Sequence, residues 1–105
     1  MRDANRMMAS MADGSMGSVH AAMNGRWTTA TIDAVLPTGS TVNFAPLIEF
    51  ELEVAVAGRP PVRVRCTEVV PAHVMPRAVV GTVLNVRYDD ATNQVFIDWI
   101  TPVAR

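Results

Sequence analysis

The sequence predicts a mainly β protein: a small five-stranded antiparallel, partly closed barrel preceded by an N-terminal Met-rich helical arm. Three observations carry this. After Gly25, apolar and polar residues alternate with a period of two, as on a half-buried strand. Turn-forming clusters break that alternation into short, regular runs. Before Arg26 the chain has no Pro and no aromatic residue, yet holds six of the seven Met.

The division this implies is an arm over 1–25 and a β domain over 26–105. In the arm, Met1, Ala4, Met8 and Met11 fall at helical spacings of three and four. Asp3 lies near the start, where a carboxylate suits the helix dipole. Gly14 and Gly17 weaken the pattern, each costing about 1 kcal/mol against Ala. Val19, Ala22 and Met23 resume the apolar face, and Asn24-Gly25 reads as a helix C-cap.

The first strand places Thr28, Ala30, Ile32, Ala34 and Leu36 on one face, and Pro37-Thr38-Gly39-Ser40 reads as the turn after it. In the second, Ile48, Phe50, Leu52, Val54 and Val56 alternate with Glu49, Glu51, Glu53 and Ala55. A loop from Ala57 to Pro61 leads to the third, with Val62, Val64 and Cys66 on the apolar side. Pro71 to Pro76 breaks the sheet pattern and has room for one helical turn. Leu84, Val86 and Tyr88 mark the fourth strand, and Val95, Ile97 and Trp99 the fifth, across a turn of Asp89 to Asn93. Five short strands in this length suit a barrel of OB-fold or SH3-like size, because closure removes exposed edges. Strand order is left open.

Composition narrows the function classes. A chain of 105 residues, half of them hydrophobic, builds one domain with one core. A formal net charge of −1, with nine Arg and no Lys, argues against nucleic acid as a partner, since that affinity rests on neutralised phosphates. No apolar run reaches the roughly 18 residues of a membrane span. Asp13 and Gly14 cut the only signal-like run short. The cytoplasm is the expected location, and the single Cys66 is compatible with it.

Each candidate for chemistry has a simpler structural reading. A hairpin through Arg59 would set Glu53 opposite Arg65, with Glu51 diagonal to it. Glu49, Glu51, Glu53, Arg63 and Arg65 then make a self-complementary solvated face rather than an ion site. Cys66 and His73, with Asp98, are the residues a catalytic or ligand-binding barrel would use. A nucleophilic thiol needs a lowered pKa and an orienting partner, whereas Cys66 shares a face with Val62 and Val64. His20 and His73 lie in different halves and give no metal-ligand spacing. Asp89 to Asn93 lacks the alternating carboxylates and central Gly of a calcium loop. Trp27, Phe44, Tyr88, Phe96 and Trp99 would offer a stacking platform for single-stranded nucleic acid, but Tyr88 and Trp99 fall on apolar faces and read as core. No catalytic residue, metal or cofactor is expected.

The methionines are the most unusual feature. Met is flexible and polarizable, and is common on adaptable binding surfaces. Met1, Met7, Met8, Met11, Met16, Val19 and Met23 are therefore the expected partner-binding residues, for self-association or for docking into a larger complex. Arg2 and Arg6 are balanced by Asp3 and Asp13, so the arm offers no net positive charge to an anionic bilayer.

Residues 25 to 98 resemble a group of small uncharacterised β-domains of high-GC actinobacteria. The resemblance rests on Gly25, Ala30-Thr31-Ile32, Thr38-Gly39, Val42-Asn43 with Pro46, Glu51 to Val54, Pro61-Val62, Val69-Val70-Pro71, Gly81-Thr82-Val83 and Val86-Arg87-Tyr88-Asp89. Asp90 stands where the usual pattern has Pro, which leaves that link less stiff. These are turn and core residues. The resemblance implies a small β-barrel fold and carries no catalytic residue. The reading that follows is a non-enzymatic interaction or scaffold module.

Overall fold

In the computed structural model, which describes residues 21–103, β1 is the organising element. It runs from Arg26–Val42 and pairs on one side with β2 (Ala45–Val56) and on the other with β4 (Val83–Asp89). β3 (Arg59–Val69) lies outside β2, and β5 (Gln94–Asp98) lies outside β4. The result is one five-stranded antiparallel sheet in the order β3-β2-β1-β4-β5. The five expected strands are all present. Closure is not: among the described residues no ladder joins β3 to β5, and the sheet remains open. The two edge strands approach one another nevertheless.

The alternating residues form the core as expected in β2, β4 and β5. Ile48, Phe50, Leu52 and Val54 pack with Leu84, Val86, Tyr88, Val95 and Ile97. The crossover from β3 to β4 covers this core with Val70, Val74 and Ala78. It also contains the expected helical turn, a 3₁₀ turn at Met75–Arg77.

β1 departs from the simple alternation. Ile32 stands opposite Leu52, but Ala34 stands opposite Glu51, so Asp33 is an extra residue in the ladder. Such a bulge reverses the faces beyond it. Val35 therefore turns toward Phe50 and the core, while Leu36 is exposed. Contrary to the sequence pattern, Ala34 and Leu36 do not share the face of Ile32.

The expected turn at Pro37–Ser40 is also a bulge. Pro37 pairs with Ile48 and Thr41 with Pro46, and the strand continues through the irregularity. Thr38 Oγ1 donates to the Leu47 carbonyl at 2.7 Å and accepts from Ser40 N–H at 3.2 Å. The side chain thus supplies bonds that the interrupted ladder cannot. Reversal occurs at Asn43-Phe44, where φ is 50° and 67°. Two successive positive φ angles match the twist of a two-residue hairpin.

Candidate functional site

Two places in the fold collect side chains that do more than pack. The first is the root of the arm. Residues 21–24 are helical, and Gly25 N–H donates to the Ala21 carbonyl at 2.7 Å. A Cβ on Gly25 would come 2.5 Å from that same oxygen and 3.0 Å from backbone atoms of Tyr88. Gly is required here for close approach to β4. Arg87 secures the junction from β4. Its Nε donates to the Gly25 carbonyl at 3.1 Å, and its Nη1 donates to the Ala22 carbonyl. A cation at the last carbonyls of a helix is favourable in charge as well as in hydrogen bonding. Ala21 is buried, whereas Met23 is 74% exposed and Trp27 57% exposed.

Of the expected partner-binding residues, Met23 is described and lies on the surface at this root. Met1, Met7, Met8, Met11, Met16 and Val19 lie outside the described residues, as does His20.

The second place is the seam between the two sheet edges. Trp99, just beyond β5, packs on Phe50 with ring centroids 5.5 Å apart and planes tilted by 55°. Its indole also acts on Glu68 near the end of β3, favouring the ionised carboxylate. Glu68 is partly buried on the core side, opposite Ile48. Burial pushes its carboxyl up to about 7 against the opposing influence of Trp99. Cys66 lies two residues earlier, opposite Phe50. Burial, then the negative charges of Glu68 and Glu49, push its thiol well above the usual range. That environment opposes thiolate formation and so opposes nucleophilic chemistry.

The other candidates remain separate. His73 is exposed on the crossover. Among the described residues no hydrogen bond or ion pair links it to Cys66 or Asp98, and no three His, Cys, Asp or Glu residues group as metal ligands. Asp98 accepts from the Ile100 and Thr101 N–H groups at 3.0 and 3.1 Å, a local turn at the end of β5. Asp89 does the same for Ala91 N–H at 3.0 Å within the turn between β4 and β5. Tyr88 is buried and donates to Asn93 Oδ1 at 2.7 Å. Trp99 is engaged with Phe50, and Phe44 projects alone at the β1–β2 turn. The aromatic residues therefore do not assemble one stacking platform.

The carboxylate row is matched as a sheet face, with its register displaced from the one expected. Glu51 faces Arg65 and Glu53 faces Arg63. The chain turns at Ala57-Gly58, and an irregularity between Val54 and Val56 accommodates Pro60 and Pro61. Neither proline has an N–H for a ladder bond. Arg65 Nε lies 3.5 Å from Glu51 Oε1, and Arg63 reaches Asp33 at 3.5 Å. Both Arg side chains are largely exposed, so each pair contributes at most about 1 kcal/mol.

These features define a small open-sheet β module with a rigidly held N-terminal root and an unladdered seam. Compared with family models, curated proteins and solved structures, the chain matches none. No described helix is long and apolar enough to cross a membrane.

Proposed function

We propose that the protein is a non-enzymatic interaction or scaffold module, in which the β body presents the Met-rich N-terminal segment for self-association or for docking into a larger complex. The observation that carries this reading is the Arg87 junction. One side chain binds the carbonyls of both Ala22 and Gly25, so the preceding chain departs from a defined point on the sheet. Met23 and Trp27 are solvent-facing beside that point and extend the apolar character of the segment onto the body. The composition of the segment supports an adaptable contact, because thioethers fit varied apolar and aromatic surfaces.

The test compares the full chain with a full-length variant carrying Met7→Ser, Met8→Ser, Met11→Ser and Met16→Ser. Sedimentation velocity should give a mass above the monomer for the parent, or co-purification of a stoichiometric protein, and the variant should lose either property. The reading fails if both proteins are monomers with identical binding behaviour. A truncation should begin at or before Val19, since a start at Gly25 would remove buried Ala21 and the carbonyl bound by Arg87.

A further inference from the structure

We propose that Phe44, at the tip of the β1–β2 hairpin, is the anchor on which the Met-rich segment of a second copy docks, so that two antiparallel chains exchange segment for tip and close a two-fold dimer. The proposal rests on the self-association reading above and names the surface that receives the segment.

The tip stands clear of the sheet. β4 pairs with β1 as far as Thr31, and the last bonds from the chain before β4 reach Ile32. On the other side the β2–β3 ladder ends at Leu47 and Val69, followed by one bond from Val70 N–H to the Pro46 carbonyl. The hairpin from Thr41 to Ala45 therefore has no third strand beside it among the described residues. At its end Asn43 and Phe44 both have positive φ, and the Phe44 ring is fully exposed. A bulky residue is held in a strained turn and gains no burial for it within the chain. Such an outlier points to a contact outside the chain.

The surroundings set the chemistry of that contact. From Ala34 to Ile48 no residue is charged, and Leu36 is exposed as well. An aromatic ring in this setting favours an apolar, polarizable occupant over a charged one. The N-terminal segment has that character. Met1, Met7, Met8, Met11 and Met16 stand in it without an aromatic residue, and Arg2 and Arg6 are balanced by Asp3 and Asp13. A thioether sulfur packs favourably against an aromatic ring.

Reach decides whose segment it is. The segment joins the body at Ala21, before the start of β1, whereas Phe44 follows the end of β1. The 17 residues of β1 set these points on the order of 40–50 Å apart. Residues 1–20 span about 30 Å as a helix. They would cross to their own Phe44 only with most of their length extended along the sheet, which leaves few thioethers at the ring. In an antiparallel pair the ends of β1 interchange, and each segment emerges beside the other copy's Phe44. The contact is then made twice, and the assembly closes as a symmetric dimer.

Sedimentation velocity tests this on the full chain, on Phe44→Gly, on the variant carrying Met7→Ser, Met8→Ser, Met11→Ser and Met16→Ser, and on a 1:1 mixture of the two variants with one fluorescently labelled. Gly suits the turn backbone, so Phe44→Gly should stay folded, as circular dichroism checks. The parent should be a dimer. Each variant alone should associate roughly 100-fold more weakly or worse, because two buried rings are lost at roughly 10-fold or more each. Phe44→Asn, which also tolerates positive φ, should match Phe44→Gly. The mixture should form heterodimers weaker than the parent, since one of the two segment–tip contacts survives in it. If Phe44→Gly dimerises like the parent while the Met variant does not, the tip assignment is overturned and the self-association reading stands. A mixture that stays monomeric beside a dimeric parent overturns the assignment in the same way. So does a monomeric parent that sediments with phosphatidylcholine vesicles through Phe44, which would give the tip to a bilayer. A monomeric parent that binds nothing removes both the assignment and the reading beneath it.

Discussion

Arg87 places its guanidinium carbon 5.3 Å from the centroid of the Trp27 ring while donating hydrogen bonds to the Ala22 and Gly25 carbonyls. Trp27 and Arg87 face one another across the β1–β4 ladder. The cross-strand pair thus continues into the chain before β1 and couples the sheet to its N-terminal root. Replacing Arg87 with Ala removes two charge-assisted bonds and the ring contact together. The expected loss is about 2–3 kcal/mol of folding stability, measured by urea unfolding. Lys at the same position should recover only part of it, because a single ammonium does not reproduce the planar fork.

Gly25 should also tolerate substitution poorly. The methyl added by Gly25→Ala would meet the Ala21 carbonyl oxygen at 2.5 Å and the Tyr88 backbone at 3.0 Å. These neighbours are backbone atoms, which cannot rotate away as a side chain can. The expected cost is about 1–3 kcal/mol by overpacking, with the N-terminal root displaced from β4. Urea unfolding measures the first effect. Loss of the Gly25 N–H protection in hydrogen exchange measures the second.

The alternation of β2, β4 and β5 was legible because those strands keep a regular ladder through their buried residues. Ile48 to Val54 and Leu84 to Tyr88 needed only the period of two. β1 was less legible because a bulge is a pairing property, and Asp33 has nothing in its own identity to announce one. Its signal was indirect: Val35 and Leu36 are both apolar, so either could be the inward residue. Pro37 and Gly39 are turn residues by local preference, yet here Gly39 with φ 85° serves an irregularity inside a strand. The Cys66 environment followed from its apolar neighbours. The Glu68–Trp99 contact did not, since it joins the two edges of a sheet whose strand order local patterns leave undetermined.

Phe44 should be replaceable with a gain in stability. It occupies a positive φ of 67° that L residues with a bulky side chain rarely adopt, and its ring is fully exposed. Burial therefore returns nothing for the backbone strain within the monomer. Gly is the preferred residue at the second position of such a turn. Phe44→Gly should raise stability by about 0.5–1 kcal/mol, the relief of strain being partly offset by the greater freedom of Gly in the unfolded chain. A higher midpoint in thermal unfolding checks this; a lower one would mean that the Phe44 ring contributes packing in the folded protein.

The seam gives folding stability a definite dependence on pH. The Glu68 carboxyl is raised from 4.5 to about 7 by burial, so the folded state binds its proton more tightly than the unfolded state does. Its contribution is complete below about pH 4.5 and is lost as pH rises through 7. Asp98 has the opposite sign. The Thr101 side chain, then the Thr101 and Ile100 N–H groups, hold its carboxyl below 3.8. Its contribution is present above that value and is lost as pH falls through the lowered one. Between them the two groups put the stability maximum near pH 4–5 and predict a fall of about 2–3 kcal/mol from there to pH 8. Urea unfolding at pH 5 and pH 8 should therefore show this decline in the parent and little change in Glu68→Gln. Stability that rises in the parent over the same interval would mean that Glu68 is ionised and stabilised in the folded protein.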